Sequence, residues 1–520
     1  MKRVRRIAVA LVAAALATFP AAAAANGHGG PSHHHHHPGQ PPHQPEPDPL
    51  SAQALMATVD QYGSAPNHYS GTPADWAEEN TVADQFRADG LQIGSIAYRF
   101  PRFDPTNVAL STDSHQISSS ALAPLLYSGT TGPQGIEAPL LAAADGSFGP
   151  ADAAGKIVVV SQLSGGALDS SIEAAIAAGA KGLVYVTNGV GDLAVWEDVN
   201  SRDGTGDFPV LLVGKRSGAE VVADAEAGEN ADLTLQAELG TATDYDVWGI
   251  LPGADPSRRV FVGTPVSSMV PAAAERGTGL GVLLGLARHY AEEPRPQRPE
   301  TLVFLATSGH EIGFLGLQAL IEAKGGWFTE ADAYVHIGSS LGSPTGVENP
   351  DGTITVTPTP PAGMKFHNSE NPLLESISEN AFTAAGQPIV NWPLHLGGTG
   401  EQVYAYAAGV PEIAVSAGGF WFHTTADVPS IVDPDILVRQ ADGYLGSVDG
   451  ITAEPAGAIR AANAEADGYA ASFPVAERTP VNPVLGADGI GGPPPQVIGP
   501  GPWSFSWSGT WGGWSAGGSR

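Results

Sequence analysis

Between Val260 and Ser416 the chain repeats one pattern: a short, uninterrupted apolar run, a turn rich in glycine and polar groups, then a helical stretch. The runs lie in "RRVFVGTPV", "ETLVFLATSG", "ADAYVHIGS" and "EIAVS", and the stretches between them include "GTGLGVLLGLARHYAEE" and "EIGFLGLQALIEA". A strand with one wet face alternates apolar with polar residues, whereas an unbroken apolar run must be covered on both faces. The pattern therefore predicts an α/β fold, a mixed, mainly parallel sheet sandwiched by helices. Ligands of such sheets collect beyond the carboxyl ends of the strands. Residues just after Val262, Ala306, Val335 and Val415 are thus the candidates for chemistry.

Composition bounds the rest. Residues 1–25 begin "MKRVRR", continue with the apolar "IAVALVAAALATF" and end in alanines, the layout of an export leader cleaved near Ala25, so the mature chain is expected outside the cell. The apolar run is shorter than the ~20 residues a spanning helix needs, and no integral membrane anchor is expected. Residues 26–49 form a His- and Pro-rich linker that cannot bury a core, although His33 to His37 can chelate a divalent metal. There is no cysteine, so disulfides and thiolate chemistry are excluded. The formal charge of −30, without Lys/Arg clusters, excludes nucleic acid as a partner. Residues 456–520 are a C-terminal extension; its Gly/Pro/Trp-rich end, from about Gly489, lacks periodicity and is expected to be disordered, with tryptophans able to stack on cell-wall sugars.

"ADWAEENTVADQFRADGLQI" places Trp76, Val82, Phe86 and Leu91 at helical spacing, with a strand expected near Ile96 to Phe100. Residues 107–238 carry their own signals: strands at Ile157 to Val160, Leu183 to Val186 and Val210 to Val213, and a helix at Ser171 to Ala178 closed by Gly179. The succession "AGKIVVVSQ", "AAGAKGLVYVTN", "FPVLLVGKRSG" resembles the protease-associated domain over most of residues 154–223. That resemblance implies an insert without chemistry, acting as a lid or substrate-positioning element. It interrupts a single α/β domain formed by residues 50–106 and 239–455.

"FLATSGHEIGFLG" holds a His-Glu pair at a strand end. In the motif HExxH two His one helical turn apart bind zinc. Here Ile312, Gly313 and Phe314 follow His310 and Glu311, so the second imidazole is missing. A longer correspondence is closer: "GTPVSS", "PAAAERGTG", "TSGHEIGFLG", "YVHIGS" and "FHTTADV", in that order, resemble the signatures "GAHYDS", "PGADDNASG", "FGAEELGLLGS", "NLDM" and "YHTPxDT" of the zinc exopeptidase family that includes vacuolar aminopeptidase Y and bacterial leucyl aminopeptidases. The resemblance implies a dinuclear zinc site with a bridging Asp and a carboxylate base. It also locates what this chain has exchanged: the first His falls on Pro265, the bridging Asp on Ala274, the base on His310 and a later Asp on Gly338. Of the metal positions it implies, Glu311 and His423 survive.

Polar groups stand beside the vacated positions. Glu275 and Arg276 follow Ala274, His336 precedes Gly338, and Glu401 sits where the family often has an Asp. Arg276 is expected to bring positive charge where zinc would sit, pairing with Glu311 or Glu401. Glu275 and Arg276 also fit a helix N-terminal acid with a surface partner, and His336 and His423 fit satisfied imidazoles at strand ends. Ser267 raises a Ser-His hydrolase using His310, but no "GxSxG" elbow surrounds it. The leading expectation is a non-classical or pseudo-peptidase without a metal cofactor that binds a peptide-like or cell-wall ligand, with His310, Glu275 and Glu401 as the chemical groups, Arg276, Ser267 and His336 as ligand-binding groups, and Glu311 and His423 at metal positions. One alternative is a metallo-aminopeptidase with a rebuilt mononuclear zinc site; another is a cell-surface interaction protein.

Overall fold

A strand of eight residues, Glu300–Thr307, runs through the centre of the molecule and is buried at every position. The computed structural model describes residues 48–198, 206–357, 365–387, 389–393, 400–416 and 419–463. The expected leader, nearly all of the linker and the Gly/Pro/Trp-rich tail lie outside these residues.

Glu300–Thr307 pairs in parallel with Asp255–Pro265, which pairs in parallel with Ala333–Ile337, and that strand with Glu412–Ser416. Successive side chains of these strands enter different cores. Val260, Val262, Leu302, Phe304 and Val335 join one apolar cluster with Leu55, Leu280 and Leu437 of the helices on that face. Phe261, Val303, Leu305 and Tyr334 join another with Leu317 and Tyr404. Burial on both faces is the cause of the unbroken apolar runs, and the expected mixed, mainly parallel sheet flanked by helices is the observed one.

On its other side Glu300–Thr307 pairs antiparallel with Asn230–Leu251, which also pairs antiparallel with Gln92–Thr112 along almost the whole length of both strands, with a register shift between Pro105 and Asn107. The strand expected near Ile96 to Phe100 is thus part of a 21-residue arm. The two arms carry the chain into and out of a lobe. There Ile136–Ala142, Ile157–Ser161, Gly182–Val186 and Val210–Val213 continue the sheet side by side in parallel, after one antiparallel step from Asn230–Leu251. The helix expected from residue 74 is Pro73–Ala88, with Thr72 as its cap and Pro73 in its first turn. Among the described residues no helix is long and apolar enough to cross a membrane.

Candidate functional site

Three strand ends, one helix start and one loop deliver the side chains. After Asp255–Pro265 the chain passes Ser267, takes a left-handed step at Ala272 (φ 48°) and enters a π-helical turn, Ala273–Gly277, before the helix Thr278–Glu292 begins. The wider turn carries Glu275 and Arg276, both buried. Asp427 holds it in place: its carboxylate accepts the N–H of Ala274 at 2.7 Å and of Glu275 at 3.0 Å, and its carbonyl that of Ala273 at 3.1 Å. After Glu300–Thr307, Gly309 (φ 70°) and Gly313 (φ 87°) bracket a tight turn that presents His310 and Glu311. His336 lies in the strand Ala333–Ile337, Glu401 at the start of the helix Gln402–Ala407, and His423 in a loop with a left-handed backbone (φ 56°).

Four of these residues form one ionic group. Arg276 Nη2 donates to Glu311 Oε1 at 2.6 Å and lies 3.0 Å from Glu275 Oε1. His423 Nε2 meets the same Glu275 oxygen at 3.1 Å, and Arg276 Nε donates to the carbonyl of Ser267 at 3.1 Å. Burial alone would raise the Glu275 carboxyl, but the charges of Arg276 and His423 outweigh it and hold the group at about 2. Burial would likewise lower His423; the charge and hydrogen bond of Glu275 instead lift it to about 10. Glu311 is raised by burial, against the pull of Arg276. Arg276 therefore pairs with Glu311, as one of the two expected options had it, and not with Glu401. Its side chain is only 3 % exposed, which removes the alternative of a surface partner.

The other site residues gather on Glu401. Its Oε1 accepts from Thr307 Oγ1 at 2.7 Å and lies 3.8 Å from His336 Nδ1, while its Oε2 lies 3.6 Å from His310 Nδ1. Burial lifts Glu401 to about 7 and drives His310 well below the ordinary imidazole value. His336 Nδ1 is also 3.1 Å from the Tyr334 hydroxyl. Ser267 links the two groups, because its Oγ accepts the backbone N–H of His310 at 3.1 Å. That contact uses the His310 backbone and not its imidazole, so the geometry of a Ser-His nucleophile is not formed.

Beside the site lies a cleft of about 1050 Å3 between the lobe and the main sheet domain, lined among others by Leu168, Tyr185, Glu197, Gly346, Phe420 and Phe422. The lobe also holds the site loop directly, since the N–H of Trp196 donates to the carbonyl of His423 at 2.7 Å. Sequence reasoning passed over Asp427, Thr307 and Tyr334. Asp427 had a signal, for it is the Asp of "FHTTADV"; the others had none.

A catalytic zinc takes three protein ligands at about 2.0–2.2 Å and one open position. Glu311 Oε1 is instead bonded to a guanidinium and His423 Nε2 to a carboxylate. Ala274 and Gly338, which the resemblance aligns with a bridging and a second metal-binding carboxylate, have no side-chain donor. The residues of this site do not fit a dinuclear zinc centre. Among the described residues, three His, Asp or Glu ligand atoms approach within 4.8 Å of one another only at Asp75, Glu79 and Asp244, a cluster that could hold a metal ion.

No family profile and no curated protein matches the chain. Solved structures do. A zinc aminopeptidase from Bacillus subtilis superposes with a TM-score of 0.62 at 20% identity, over 77% of this chain and 95% of its own. An aminopeptidase from an Aneurinibacillus strain gives 0.57 at 17% identity, over 77% and 93%. A peptidase M28 precursor from Shewanella amazonensis gives 0.58 at 15% identity, over 78% and 96%. A neighbour that is a zinc enzyme lends no support to the expectation of a chain without metal. What this likeness does establish is that the chain has the fold of the zinc aminopeptidases.

Proposed function

We propose that the protein is an exported, peptidase-like protein whose cleft binds a peptide-like ligand and in which a buried charge group has replaced the dinuclear zinc of the fold. The observation that carries this reading is the Arg276 guanidinium, bonded to Glu311 and set against Glu275. A cation fixed by protein bonds among the remaining donors opposes a divalent metal by charge and occupies the ligand oxygen. The cleft beside it is large enough for several residues of an extended peptide, and Phe420 and Phe422 offer apolar contact. The lobe, residues 107–238, acts as a protease-associated type of insert that closes one side of that cleft. Export rests on the leader-like N-terminus, and the acidic charge disfavours nucleic acid.

The test is metal analysis of the mature chain with residues 28–43 deleted, so that the His-rich arm cannot contribute, beside chromogenic aminopeptidase assays with and without zinc. Absence of zinc and of cleavage, together with saturable peptide binding lost in Phe422→Ala, is expected. Stoichiometric zinc with chelator-sensitive cleavage would overturn the reading. A second reading, a hydrolase, has an observation of its own: His310 Nδ1 and Glu401 Oε2 face each other and neither has a hydrogen-bond partner. On that reading Glu401, with a pKa of about 7, takes a proton from an attacking water. Cleavage abolished by Glu401→Gln would favour it.

A further inference from the structure

Behind the site, on the far side of Ser308, carboxylates are packed in a way the cleft does not explain. Asp75 and Glu79 lie one turn apart on the helix Pro73–Ala88, Asp244 and Asp246 on the same face of the strand Asn230–Leu251, and all four are fully buried. Asp75, Glu79 and Asp244 each place an oxygen within 4.8 Å of the others. Hydrogen bonds satisfy only part of this acidity. The Ser308 hydroxyl lies 3.0 Å from Asp75 Oδ2 and 2.5 Å from Asp244 Oδ2, and has one hydrogen for both. The Tyr98 hydroxyl donates to Asp244 Oδ2 at 3.2 Å, and the N–H groups of Gly71 and Ser308 donate to Asp75 and Asp246 at 3.0 Å.

The observation that points to a ligand is Glu79. Both of its oxygens are buried and no N–H or O–H donor reaches them, as is also true of Oδ1 of Asp75 and of Asp244 and Oδ2 of Asp246. Its one hydrogen-bond contact is with the Asp244 carboxyl, which can bond it only through a shared proton. The charges acting on Glu79 are those of Asp244, Asp75 and Asp246, all of its own sign. Like charges this close and this dry are tolerated only when a cation or shared protons intervene.

We propose that Asp75, Glu79 and Asp244 form an internal calcium site. The donors are oxygen alone, which favours a hard cation over zinc. The three oxygens, all within 4.8 Å of one another, are close enough to share one ion. Calcium accepts an irregular set of oxygens at about 2.3–2.6 Å, whereas magnesium demands a near-octahedral shell at about 2.0–2.1 Å and keeps several waters, which a fully buried cluster does not favour. The ion would tie the helix Pro73–Ala88 to the arm leading from the lobe and seat the loop that starts at Ser308 and presents His310 and Glu311. A chain without cysteine has no disulfide for that task.

The test uses the full chain, stripped with a calcium chelator and dialysed at neutral pH. Terbium is titrated first, its luminescence sensitised by Tyr98, and calcium is then used to displace it; bound calcium and the thermal midpoint are read in parallel. About one calcium per chain, a midpoint that rises with calcium, and loss of sensitised terbium binding in the isosteric Glu79→Gln are expected. Asp75→Asn serves as the second variant should Glu79→Gln fail to fold, and the wild-type titration needs no variant. A midpoint indifferent to calcium with no ion bound would overturn the proposal and leave carboxyls sharing protons. Terbium binding undiminished in a folded variant would overturn it too, by assigning the signal to the acidic surface.

Discussion

Arg276 Nη2 stands 2.6 Å from Glu311 Oε1, with both side chains buried, at the position where the resemblance to zinc exopeptidases would put a metal ligand. The same guanidinium lies 3.0 Å from Glu275, which in turn holds His423 at 3.1 Å. Two cations and two carboxylates therefore balance without an ion. Such a group is stable only as a whole, because each member leaves a desolvated charge behind when it is removed.

Truncating Arg276 should show this. Arg276→Met leaves Glu275 and Glu311 facing each other in a buried site and is expected to cost roughly 3–5 kcal/mol of folding stability. Adding Glu311→Leu removes the stranded charge, and the double variant should recover a large part of that loss. Urea denaturation of the wild type, both single variants and the double variant measures the coupling. Strictly additive effects would mean that the two residues do not act as a pair.

How much of this the sequence discloses depends on how a signal is carried. The strand ends at Pro265, Thr307 and Ile337 could be read because unbroken apolar runs announce burial on both faces. The acids of the helix Pro73–Ala88 could not. Its apolar spacing draws attention to Trp76, Val82 and Phe86, yet Asp75, Glu78 and Glu79 are buried along with Val82 and Phe86 while Trp76 is only half-buried. Buried carboxylates look like a solvated face until their partners are known, and here the partners Asp244 and Ser308 are distant in sequence. Glu275, Arg276 and His423 were suggested by the positions they occupy, but which of them would pair depends on the π-helical turn, and no propensity signals one.

His423 supplies a pH-dependent readout. Its pKa rises from 6.5 to about 10 on folding, so its contribution is complete below pH 6.5 and is lost as pH climbs through 10. Glu275 falls from 4.5 to about 2, so its part is complete above pH 4.5 and lost as pH drops through 2. Replacing His423 with Gln should therefore destabilise the fold most between about pH 4.5 and 6.5, on the order of 2–4 kcal/mol, with the deficit shrinking toward pH 10. Chemical denaturation of both proteins across that range measures it. A deficit independent of pH would show that His423 does not carry its proton in the fold.

Asp427 tests the turn itself. Its carboxylate accepts the N–H groups of Ala274 and Glu275, which have no helical partner at this point. Asp427→Ala should cost roughly 1–2 kcal/mol, as the loss of a helix cap does. Hydrogen exchange at the amides of Ala274 and Glu275 should accelerate, while amides in Glu300–Thr307 keep their protection. Equal acceleration in both regions would make the change global and not local to the turn.

Glu401 gives a pH dependence of the same sign as His423 but at lower pH. Burial raises its pKa from 4.5 to about 7, so the folded state must either hold a proton that the unfolded chain releases or accept a buried charge. The wild type therefore loses stability as pH rises from 4.5 through 7. Glu401→Gln keeps an acceptor for the Thr307 hydroxyl and removes the titration, so its stability relative to wild type should climb across this interval, by up to roughly 2–3 kcal/mol above pH 7. The same variant should shift the titration of His310, whose Nδ1 lies 3.6 Å away, and two-dimensional NMR of the imidazole resonances reads that shift separately from stability. If the stability difference stays flat while the His310 resonance is unmoved, Glu401 is ionised throughout and its carboxylate is compensated by a group other than these histidines.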